Sequence, residues 1–134
     1  MNSGACHAAA AHSCAARRRR PPARRGASFE GLAIEELAGW AAERFVRPGI
    51  FFWRTHAGAE VDLLIVDRRR IHPIEIELGA ALDPRSLAIL RQCMADLSLK
   101  RGFVITTGEE RRSIGKAIEI LPWRSVARGE VDIA

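Results

Sequence analysis

Two short stretches alternate apolar and charged residues: Gly58-Ala59-Glu60-Val61-Asp62-Leu63-Leu64-Ile65 and Pro73-Ile74-Glu75-Ile76-Glu77-Leu78. A period of two is the signature of a half-buried β-strand. The alternation predicts Asp62 on one face with Glu60, and Glu75 on one face with Glu77. Val61, Leu63, Ile65, Ile74, Ile76 and Leu78 then form the apolar side. Upstream, Phe29, Ala33, Leu37, Trp40 and Ala41 recur at helical spacing behind Ser28, a good N-cap, and Arg47-Pro48-Gly49 ends that helix. Downstream, Asp83-Pro84 opens a second helix with Leu87, Leu90, Met94 and Leu97 on one stripe.

Between these helices three strands are expected, 50–55, about 60–66 and about 71–78, joined by the turns His56-Ala57-Gly58 and Asp67-Arg68-Arg69-Arg70. Pro73 donates no ladder bond, which places it near the start of its strand or at a bulge. Gly102-Phe103-Val104-Ile105-Thr106 reads as a buried strand, and Ala117-Ile118-Glu119-Ile120-Leu121 as a short one stopped by Pro122. Short turns make the first three strands an antiparallel meander. The second helix is long enough for a crossover to a parallel neighbour. The fold class predicted is α/β: a mixed central sheet flanked by helices.

Charge divides the 134-residue chain in two. Residues 1–27 carry six arginines (Arg17, Arg18, Arg19, Arg20, Arg24, Arg25) and no acid, and residues 28–134 carry 15 basic and 16 acidic side chains. The formal charge of +5 therefore belongs to an Ala/Arg-rich tail, expected to be disordered, and the folded domain at 28–134 is near neutral. Arginine runs of this kind also grip phosphates with little sequence preference. Cys6, Cys14 and Cys93 show no metal-ligand spacing, and a reduced, cytoplasmic setting is expected. No apolar run reaches the ~18 residues of a membrane span. The arginines follow the alanine-rich stretch, the wrong order for a secretory signal.

The chemistry-bearing residues are the strand acids. Two bare carboxylates about 4 Å apart repel by roughly 4 kcal/mol at an effective dielectric of about 20, so a cluster calls for a cation or free access of water. Glu75 and Glu77 also fit the plain solvated face of a strand. Asp62, between Val61 and Leu63, is harder to place that way because acids are depleted in strands. Glu30 near a helix start favours the helix dipole by itself. Arg54 fits either a phosphate contact or a partner ion for the acids. His72 is expected on the face opposite Glu75.

Taken together, "FE" on the first helix, "EVD" and "IEIE" resemble the PD-(D/E)XK nuclease superfamily, whose core is restriction-endonuclease-like. More closely, "SFEGLAIEELAGW", "FFWRTHAGAEVDLLI", "HPIEIEL" and "RGFVITTGE" resemble the C-terminal domain of a group of prokaryotic AAA-type ATPases, the domain of unknown function DUF4143. The resemblance spans Ser28 to Trp123. It maps the helix acid onto Glu30, the strand acids onto Asp62 and Glu75, and the usual lysine onto Glu77. It implies Mg²⁺, with Mn²⁺ as substitute, held by Asp62, Glu75 and Glu30, and phosphodiester hydrolysis of DNA, with Glu77 as base or extra ligand. No GxxxxGK[ST] occurs, so no ATP site of that type is expected in this chain. The alternative is a catalytically degenerate module that binds a nucleic acid, or a protein such as a separate ATPase subunit, with the chain resembling a detached C-terminal module or fragment of such an ATPase.

Overall fold

Ser28 caps the first helix as its position predicts, its Oγ accepting the N–H of Gly31 at 3.2 Å. This helix, α1 (Phe29–Arg44), buries Ala33, Ile34, Leu37 and Ala41 along one stripe and stops where Phe45 turns extended. The structure is a computed structural model that describes residues 14–18, 28–130 and 133. The remaining elements are β1 (Cys14–Arg18), β2 (Gly49–Thr55), β3 (Glu60–Asp67), β4 (Arg70–Glu77), α2 (Pro84–Asp96), β5 (Gly102–Thr106), β6 (Arg112–Ile114), β7 (Ile118–Pro122) and α3 (Trp123–Ala127).

One seven-stranded sheet runs β1-β2-β3-β4-β5-β7-β6. The strands β1 to β4 are antiparallel in sequence order, β5 lies parallel to β4, β7 parallel to β5, and β6 returns antiparallel to β7. Mixed order, meander and crossover follow the sequence pattern. Three elements do not: β6, α3 and β1. The last lies inside the segment read as a tail, and the rest of that segment lies outside the described residues.

The helices cover opposite faces. On one, α1 packs with Leu63, Ile65, Ile74, Ile76, Phe103, Ile105 and Leu121. On the other, Leu90, Cys93 and Met94 of α2 pack with Trp53, Val61, Leu64, Val104, Ile118 and Ile120. Pro73 sits mid-strand in β4, opposite Leu64. The ladder to β5 begins only at Ile74, so the missing N–H costs no bond on that side.

The expected single apolar face of β3 is split. Phe51 pairs with Leu64 but Trp53 with Val61, so Asp62 and Leu63 together face Phe52. This bulge rotates the chain, placing Val61 with the α2 cluster and Leu63 with the α1 cluster. Strict alternation through Glu60, Asp62 and Leu64 therefore fails at its centre.

Asp83 begins α2 by accepting the Arg85 N–H at 2.9 Å, and its own N–H is held by Glu77 Oε2 at 3.1 Å. Asp83→Ala is expected to lower stability by about 1 kcal/mol, read as a shift in the urea midpoint with unchanged slope.

Candidate functional site: a carboxyl pair where two strands part

The β3–β4 ladder runs from Asp67↔Arg70 to Leu63↔Ile74 and stops there. Beyond it, side chains continue what the backbone leaves off. Asp62 Oδ2 accepts the Ile76 N–H at 2.9 Å, and Glu75 Oε1 accepts the Asp62 N–H at 3.2 Å. The bulge at Asp62 produces this geometry. An extra residue on β3 pulls its backbone out of register, and the two carboxyl groups fill the gap.

Glu75 is buried, with 5% of its surface exposed. Burial pushes its carboxyl from about 4.5 up to about 10, and the hydrogen bond to Asp62 and the charges of Asp62 and Glu77 push the same way. The backbone hydrogen bond at Asp62 opposes the shift without overcoming it. At neutral pH Glu75 therefore carries a proton, and the pair escapes the repulsion of two bare charges.

Of the residues expected to converge, Asp62 and Glu75 meet, and Glu77 flanks Glu75 two positions along the same strand face. Glu30 stands on the first turn of α1. Its helix starts at the same end of the sheet, where Phe29 meets Trp123 edge-on at 5.5 Å, but α1 covers the face of Ile74 and Ile76. Glu75 pairs with Val104, which belongs to the α2 face. Among the described residues no group of three or more His, Cys, Asp or Glu is arranged to hold a metal ion.

The remaining candidates resolve simply. Arg54 is exposed and in register with Glu60, one step outside the bulge. His72 is buried against Phe45, ring centroids 5.9 Å apart, on the α1 side as expected. Sequence reasoning missed the role of the Ile76 and Asp62 backbone N–H groups. The only signal for it is an acid set among apolar strand residues at a position the bulge later occupies.

No described helix is long and apolar enough to cross a membrane. The family model for the domain of unknown function DUF4143 matches residues 25–132. Uncharacterized proteins of Mycobacterium bovis and Mycobacterium tuberculosis are each 30% identical to the chain over 108 residues, covering 80% of it and 23% of the relative. The chain therefore spans less than a quarter of the length of these curated relatives. No solved structure matches.

Proposed function

The chain belongs to the DUF4143 family, and we propose that its domain is a nuclease-like module in which Asp62 and Glu75 hold a divalent cation for hydrolysis of a nucleic-acid phosphodiester. One observation carries this reading: two carboxyl groups from adjacent strands meet where the ladder opens. The donor set fits Mg²⁺, which needs only one or two protein carboxylates besides water and phosphate oxygens, and Mn²⁺ substitutes for it. When bound, the cation would polarise the scissile phosphate and activate a water.

The chain's own residues set the rest. The Ile76 and Asp62 N–H groups fix one oxygen of each carboxyl and so orient the pair. Glu77, at the position of the pattern's lysine, can accept a proton from water but cannot supply positive charge to a phosphate. Its Oε2 is already engaged by the Asp83 N–H. This engagement favours a second reading, a non-catalytic module that binds a nucleic acid or a protein such as a separate ATPase subunit in the cytoplasm.

The test compares the parent with Asp62→Asn and Glu75→Gln. Under the first reading the parent nicks supercoiled DNA with Mg²⁺ or Mn²⁺ and its melting temperature rises with the cation, because a ligand of the native state stabilises it. Both effects disappear in the variants. A parent that neither binds the cation at millimolar concentration nor nicks DNA removes the first reading and leaves the second.

A further inference from the structure

Opposite the carboxyl pair, the far end of the sheet carries four arginines on two turns. Arg47 lies in the α1–β2 connection, and Arg68, Arg69 and Arg70 form the β3–β4 turn and the start of β4. All four are exposed. The register Gly49↔Val66, continued outward by two residues, sets Arg47 level with Arg68. Like charges side by side on neighbouring strands repel, and a single carboxylate, the half-buried Asp67, lies among them.

Two further observations bear on this group, which shares its lack of ion pairs among the described residues with Arg54, Arg85, Arg91 and Arg112. Elsewhere Arg101 and Arg111 clasp Glu119, Arg124 approaches Glu109 at 3.9 Å and Arg128 approaches Glu130 at 4.0 Å. Among the described residues, none of Arg47, Arg68, Arg69 and Arg70 has an ion-pair partner. Both Arg47 and Arg68 also hold the left-handed backbone, φ 52° and 54°, where glycine would be free of strain. The chain thus keeps two arginines at turn positions that disfavour them, side by side and without an ion-pair partner among the described residues.

We infer that this arginine end binds the phosphate backbone of a nucleic acid. The guanidinium fork matches two phosphate oxygens at once, and four unpaired forks suit a repeating polyanion. An anionic membrane is a weaker fit, because Val46 is the one large exposed apolar side chain on these turns, too little to enter a bilayer. Arg70 lies five positions before Glu75 along β4, about 17 Å, so the surface stands clear of the carboxyl pair. The inference does not rest on cleavage by that pair.

Binding of the full chain to a fluorescein-labelled 20-base-pair duplex, in EDTA and from 50 to 200 mM KCl, tests it. In Arg47→Gly/Arg68→Gly the backbone strain is relieved, so the unfolding midpoint is expected to match or exceed the parent's. Affinity is expected to fall about tenfold, and the slope of log affinity against log salt to shrink by about 2, near 0.9 for each phosphate that is no longer neutralised. The charge-matched control Arg85→Ala/Arg91→Ala, on α2, is expected to keep the parent slope. Equal slopes in the parent and the glycine variant overturn the inference, as does an equal loss in the control. Binding to phosphatidylserine vesicles but not to the duplex also overturns it.

Discussion

Glu75→Gln is expected to be more stable than the parent above neutral pH, by a margin that widens with each unit. The native carboxyl holds its proton up to about pH 10, whereas in the unfolded chain it loses it near 4.5. Between those values the native state binds more protons than the unfolded one, so stability falls as pH rises. The contribution is whole below about pH 4.5 and is lost progressively toward pH 10. The slope is at most about 1.4 kcal/mol per unit. Glutamine keeps the arrangement without the titration. Its carbonyl accepts the Asp62 N–H and its amide donates to the Asp62 carboxylate. Urea unfolding of both proteins at pH 6, 7, 8 and 9 measures the difference directly, since all other titrations are shared. Parallel profiles would show that Glu75 does not keep a proton in the fold. Adding Mg²⁺ extends the experiment: under the proposed function the cation offsets the parent's loss at high pH and leaves the glutamine variant unmoved.

The second large effect lies under α2. Trp53 is fully buried among Val61, Leu64, Leu90, Met94 and Val104, so it joins the bulged part of the sheet to the helix. Trp53→Ala is expected to cost about 3–5 kcal/mol through lost burial and a residual cavity. The indole Nε1 is buried without a hydrogen-bond partner, a group that itself costs about 1–3 kcal/mol. Trp53→Phe removes that cost along with part of the packing. Its loss is therefore expected to be less than half that of the alanine variant. Equilibrium denaturation of the two variants checks the ratio. A phenylalanine variant as unstable as the alanine one would mean that the indole N–H is satisfied.

Much of the fold was legible because each local signal agreed with its neighbours. Ser28 and Asp83 cap helices at the expected places, and Ala33, Leu37, Leu90 and Met94 face the core as their spacing requires. The strands from Ile50 to Leu121 were readable from composition and turns. The three-residue β6 and the five-residue α3 were not, because periodicity needs more residues than either has. β1 was missed for another reason: its Cys-Ala-Ala-Arg-Arg sequence has no strand preference, and only pairing with β2 makes it a strand.

For the site, the sequence marked Asp62, Glu75 and Glu77 as acids on strands that had to be neighbours. It also suggested that Glu30 would join them. The tertiary structure set α1 on the face of Ile74 and Ile76 and linked Asp62 and Glu75 across the parted strands.

By itself the chain determined which segments become helix and strand, where the meander gives way to a crossover, and which carboxylates neighbour each other. These follow from local spacing, caps and turns. Only the tertiary structure decided which face each carboxylate occupies and what charge Glu75 carries. A one-residue bulge can shift the first, and burial beside Asp62 decides the second; neither depends on nearby sequence alone.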